Sequence, residues 1–216
     1  MIRVETDSLG EAWLGIARRI VEDGAPSTYD GLAILEVPHA WLEVRSPSPD
    51  DAIIAAHAEP ERLAWMRANF LDHQLVAELG DARSYASRLF DYGATGADQL
   101  NWVVERLRTD PLSRSATITT FEPLTDTTYI PCVSMLDFWM RDGALHLVVY
   151  AHSIDFGAKG YANLVQLADI QHRVAAELET PVGSLTFIVK SAHIYEPQFG
   201  YMKGVLDEAG PGIPLV

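Results

Sequence analysis

Apolar and polar positions alternate along this chain with two distinct periods, and the switches between them mark out its elements. Ser8 and Glu11 stand at capping-box spacing, and Trp13, Ile16, Ile20 and Val21 follow as a helical stripe. A first helix is expected there, stopping near Gly24. Over 31–44, Leu32, Ile34, Val37, Trp41, Leu42 and Val44 read as β structure interrupted at Pro38, which predicts two strands or one bulged strand. The run Ser-Pro-Ser-Pro-Asp-Asp at 46–51 predicts a solvated connection. Helical text then covers 59–79, with Leu63, Trp65, Met66 and Phe70 toward the core.

The second half is more sharply patterned. Leu100, Val103, Val104 and Leu107 give one helical face around 101–108, preceded by Thr95 and Asp98 at capping-box spacing and ended by Pro111. A strand is expected over 116–121. Two strong strands, 133–140 and 144–151, flank Asp142-Gly143, a hairpin signal. A long helix over 160–178 buries Leu164, Leu167, Ala168, Val174, Ala175 and Leu178, and a last strand covers 184–194. The closing residues 210–216 show no regular pattern. With no internal repeat and no linker, one domain over 1–216 is expected.

Composition narrows the function. The 216 residues suffice for one full core, and 48% hydrophobic with 21% charged residues is ordinary for a globular protein. No run approaches a membrane span and no apolar leader opens the chain, so no membrane partner and a cytoplasmic setting are expected. The net charge of −14 repels nucleic-acid polymers but not a mononucleotide held by one or two arginines. The single cysteine, Cys132, excludes an internal disulfide.

Candidate chemistry gathers at strand ends and one helix start, where side chains project into clefts from a rigid frame. Cys132 enters one strand of the hairpin, His152, Ser153 and Asp155 leave the other, Asn163 sits near the start of the long helix, and His193 and Tyr195 end the last strand. Each has a plain structural explanation alone: a small buried residue, turn residues, a helix cap, a structural His-aromatic pair.

Together they do not. Residues 131–195 resemble the central block of the thymidylate synthase family: Pro131-Cys132, a hairpin with Asp142-Gly143, a Ser153-Ile154-Asp155 segment, Asn163 opening a helix, and His193-Ile194-Tyr195, in the family's order and spacing. Upstream, residues 84–90 resemble its Tyr-Gly segment, Asp98-Gln99-Leu100 its Asp-Gln helix start, and residues 110–114 its phosphate-arginine segment. Residues 84–195 carry the likeness well and the first 80 weakly, and the short N-terminal half is closer to compact archaeal members.

The resemblance implies an α+β (α/β layered) thymidylate synthase-like fold, a mixed sheet packed on helices, and a homodimer joined sheet to sheet. It implies C5 one-carbon transfer from 5,10-methylenetetrahydrofolate to a pyrimidine nucleoside monophosphate, with no metal. Cys132 would add to C6 as a thiolate, splitting one hard substitution into easier steps. That thiolate needs a nearby cation, for which Arg114 is the candidate. Ser153 and Arg114 would hold the phosphate, Arg114 from a partner subunit. Asn163 would read N3 and O4 of the base, which favours uracil. His193 and Tyr195 would bind the sugar, Asp155 would face the folate pterin, and Tyr85 would assist proton removal from C5. The tail over 213–216, ending at Val216, would close over the folate.

The chain also departs from the family pattern. His152 stands where an arginine is expected, Ser115 replaces the second of an arginine pair, Val133 follows the nucleophile where His is frequent, and Ala151 stands where Gln is frequent. Arg3, Arg18 and Arg19 are unaligned candidates for an N-terminal phosphate arginine, and Glu59 and Glu61 for an early catalytic glutamate. These departures leave open a pyrimidine nucleotide 5-hydroxymethylase and a nucleotide-binding relative without catalysis.

Overall fold

A computed structural model describes residues 2–72, 75–80, 82–127 and 129–210. In chain order its elements are β1 (Ile2–Thr6), α1 (Leu9–Asp23), β2 (Ala25–Tyr29), β3 (Leu32–Val44), α2 (Ala52–His57), α3 (Pro60–Leu71), β4 (Leu75–Val76), β5 (Ala82–Arg83), α4 (Tyr85–Phe90), α5 (Gln99–Thr109), β6 (Ala116–Thr119), β7 (Val133–Arg141), β8 (Ala144–Asp155), α6 (Gly160–Glu177), β9 (Val182–Tyr195) and α7 (Phe199–Glu208). Among the described residues a seven-stranded sheet runs β1-β3-β9-β8-β7-β6, with β2 also on β3. The β1–β3 and β8–β9 pairs are parallel and the other ladders antiparallel, so the sheet is mixed as expected.

Local chemistry explains the boundaries. The Ser8 hydroxyl accepts from the Glu11 N–H at 3.3 Å while Glu11 accepts from the Ser8 N–H at 3.1 Å, closing the capping box that starts α1. Asp142 and Gly143 both take positive φ, 51° and 79°, the two-residue turn that matches the twist of β7 and β8. Asp98 alone caps α5, through the Asn101 N–H, while Thr95 bonds back to Tyr92.

Three expectations change. The helix over 59–79 stops at Leu71, because Asp72 takes an extended backbone there; β4 pairs with β5 and a 3-10 turn, Ala77–Leu79, follows. The connection over 46–51 ends in a buried anchor. Asp51 caps α2 through the Ile53 and Ile54 N–H groups and accepts from the Gly10 N–H at 2.9 Å, where a Cβ on Gly10 would meet Asp51 Oδ1 at 2.4 Å. Finally, β3 is one strand rather than two. Its outer edge pairs with β2 over Leu32–Glu36 and with β1 from Ala40 to Val44. Pro38, which has no N–H to donate, and His39, at φ 56°, occupy the gap between those partners.

One core joins residues from Val4 to Leu206. The buried set of each strand faces α1, α5 and α6. The alternate set forms the other face, where Trp41, Ile188, Tyr150 and Met135 stand in register as a half-buried row across β3, β9, β8 and β7. Among the described residues no helix is long and apolar enough to cross a membrane.

Candidate functional site

The start of β7 and the ends of β8 and β9 lie side by side, because Val133 pairs with Ala151 and Asp155 with His193. That register gathers Cys132, Ser153, Asp155, His193 and Tyr195 at one end of the sheet. The Ser153 hydroxyl donates to Cys132 Sγ at 3.9 Å. The buried Tyr85, at the start of α4, accepts from the Val133 N–H at 3.0 Å and stacks on Phe70 with centroids 4.2 Å apart. Its own O–H therefore remains available beside the nucleophile. Burial, with the Cys132 charge behind it, raises the Tyr85 phenol well above its usual range, so it is neutral.

Asp155 leaves β8 in a tight turn, accepting from the Gly157 N–H at 2.9 Å and the Ala158 N–H at 3.3 Å. Burial raises its carboxyl, and His193, those two N–H groups and Lys159 oppose it. Burial lowers His193, against the pull of Asp155. His193 Nδ1 lies 3.5 Å from Ser191 Oγ, which itself bonds Glu36. Tyr195 meets the His193 ring edge-on, centroids 5.0 Å apart at 89°.

Asn163, one turn into α6, is buried and half-satisfied. Its amide donates to the Lys159 carbonyl at 2.9 Å, while Oδ1 has no partner. A buried acceptor without a donor is costly unless a ligand supplies one.

The chain places two of the expected phosphate residues elsewhere. His152 alternates with Ser153, so its ring turns to the opposite sheet face, 3.4 Å from Ser134 Oγ and beside Lys190. Arg114 lies at the far end of the β7–β8 hairpin, 5.9 Å from the Trp139 ring, and Trp139 pairs with His146 rather than with the Cys132 end. The positive charge acting on Cys132 within the chain is Lys159, not Arg114. Val216 and the 213–216 tail lie outside the described residues.

Three residues missed in the sequence join the site. Tyr29 ends β2, and its ring meets His193 at 5.9 Å and Tyr195 at 6.4 Å. Its hydroxyl bonds Ser153; since the single Ser153 proton points to sulfur, the Tyr29 hydroxyl is the donor. Tyr129 hydrogen-bonds Cys132 directly. Lys159, just before α6, rests its ammonium 5.8 Å from the Trp65 ring centroid. Trp65 also lines a cavity of about 590 Å³ with Glu59, Pro60, Glu61 and Arg62, so one lysine links the nucleophile to that cavity wall. The Tyr29-Asp30-Gly31 turn was the legible signal for Tyr29; nothing in the pattern marked Tyr129.

Comparison with known proteins fits this geometry. The family model described as thymidylate synthase matches residues 53–214. A protein of Methanosarcina acetivorans named "Putative thymidylate synthase" is 34% identical over 211 residues, 94% of each chain. One of the same name from Methanothermobacter marburgensis is 29% identical over 218 residues, 94% of this chain and 97% of the relative. The deoxyuridylate hydroxymethyltransferase of Bacillus phage SP01 is 38% identical over 110 residues, 48% of this chain and 28% of that protein.

Proposed function

Because this chain belongs to the thymidylate synthase family, we propose that it transfers a one-carbon unit from 5,10-methylenetetrahydrofolate to C5 of a pyrimidine nucleoside monophosphate, dUMP-like by preference, through a Cys132–C6 adduct. The observation that carries the reading is the lone thiol held between the Ser153 and Tyr129 hydroxyls, beside the unpartnered Asn163 Oδ1.

In this mechanism the Cys132 thiolate forms the Sγ–C6 bond. The C5–C6 π pair moves toward O4, leaving C5 nucleophilic. Asn163 Oδ1 accepts from the base N3–H, which gives its buried acceptor a donor. Ser153 holds the phosphate, and His193, Tyr195 and Tyr29 enclose the sugar end. The neutral Tyr85 hydroxyl assists removal of the C5 proton. The folate supplies the electrophilic one-carbon unit. Asp155 faces it from the Gly157 turn, and the Glu59–Trp65 cavity has the volume of a ligand site.

Arg114 completes the phosphate site only from a second copy. The half-buried row of Trp41, Ile188, Tyr150 and Met135, with Trp41 Nε1 buried and unpartnered, supports a sheet-to-sheet homodimer.

The test is release of tritium from C5-labelled dUMP in the presence of the folate. Cys132→Ala should keep the fold and abolish release. Absence of release by the native protein with uracil and cytosine nucleotides alike would sink the proposal. The phage relative favours a second reading, hydroxymethylation, in which water captures the one-carbon unit at C5. Product mass distinguishes a methyl from a hydroxymethyl group, and dihydrofolate forms only with methylation.

A further inference from the structure

A thiol attacks as its thiolate, and the setting of Cys132 resists that form. Burial raises the thiol and the Asp155 charge adds to the rise; Ser153, Lys159 and Tyr129 oppose them. Two of these three groups touch the sulfur. Ser153 is committed twice over, since it also takes the Tyr29 hydroxyl and would take the substrate phosphate. Lys159 divides its charge between Cys132 and Asp155 and lies against Trp65. Tyr129 belongs to none of these substrate or folate contacts. It precedes the nucleophile in Tyr129-Ile130-Pro131-Cys132, where the buried Pro131 fixes the backbone just before the thiol.

We propose that Tyr129 is a further catalytic residue, whose phenol O–H donates to Cys132 Sγ and holds the thiolate for addition to C6. Burial and the Cys132 charge raise the phenol, so it keeps its proton and acts only as donor. On addition Sγ gives its electron pair to C6 and the hydrogen bond loses its charged acceptor. When the adduct breaks, the pair returns to sulfur and the bond re-forms. No proton leaves Tyr129 in either direction. The role rests on the proposed adduct for its purpose, but the hydrogen bond acts on the thiol before any substrate arrives.

Cys132 is the only cysteine, so alkylation of the full chain by iodoacetamide reads this thiol alone. Tyr129→Phe keeps the ring and removes the donor. Its alkylation profile should move to higher pH by about one unit, with roughly a tenfold slower rate at neutral pH. Tritium release should fall by a similar factor at neutral pH and recover as pH rises, which a merely structural role would not produce. An unshifted alkylation profile in a folded variant overturns the proposal. If Tyr129→Phe loses its circular dichroism, site-specific 3-fluorotyrosine keeps the shape and strengthens the donor, and should shift the profile to lower pH; no shift there also overturns it. A shifted profile without tritium release in the native protein supports the Tyr129 bond while sinking the one-carbon reading.

Discussion

The ring of Tyr29 stacks on that of Tyr195, centroids 6.4 Å apart and planes within 21°, although the two come from a hairpin edge and the end of a central strand. The contact closes the sugar end of the site. Tyr29→Ala should raise KM for the nucleotide roughly threefold to tenfold while kcat changes little, because an aromatic contact of this kind contributes to binding rather than to chemistry. Steady-state kinetics with saturating folate check this, and an equal loss in kcat would contradict it.

The free protein should react faster as pH rises. Burial places the Cys132 thiol above the ordinary 9.0, and only the deprotonated form is nucleophilic, so the thiolate fraction climbs through neutrality without levelling. The rate of thiol alkylation against pH should still be rising at that value. A plateau near neutral pH would contradict the assignment.

Arg88 is an internal strut whose loss should show in stability. Its side chain is 2% exposed, pairs with Asp126 at 2.7 Å and Glu122 at 3.8 Å, and donates to the Thr120 carbonyl. Arg88→Leu leaves two buried carboxylates uncompensated, which costs about 3 to 5 kcal/mol. The melting temperature should fall by on the order of 10 °C. Thermal unfolding followed by circular dichroism measures it.

Asn163→Ala should weaken nucleotide binding roughly tenfold to a hundredfold, since it removes the base contact and strips the Lys159 carbonyl of its donor. Calorimetric titration with dUMP reads the change, and an unaltered Kd would remove Asn163 from base recognition.

The strong periodic elements were legible because their burial is one-sided. The hairpin of β7 and β8, the helix α6 and the strand β9 followed directly from Asp142-Gly143 and from apolar spacing. The short pieces were not legible. β2 is exposed at all five positions, so no apolar pattern announced it, and β4 pairs over two residues only. α7 hid in a mixed polar segment. In the site, sequence order brought Cys132, Ser153, Asp155, Asn163, His193 and Tyr195 together because their strands are neighbours. It could not show that His152 turns to the other face, which follows from strand alternation at the end of β8. Nor could it show Tyr129 or Lys159, whose roles come from loop geometry rather than from residue type.

The gap in the outer edge of β3 at Pro38 and His39 divides that edge into two separately melting halves. β1 contributes the buried Val4 and Thr6 to its half, whereas β2 buries nothing. Without a continuous ladder across the gap, opening of one half need not propagate to the other. Backbone amides of β2 should exchange with deuterium well before those of β1. Tyr29 therefore rides on the labile half, and the end of the site that meets the sugar can loosen while the strands that hold Cys132 and Asp155 stay protected.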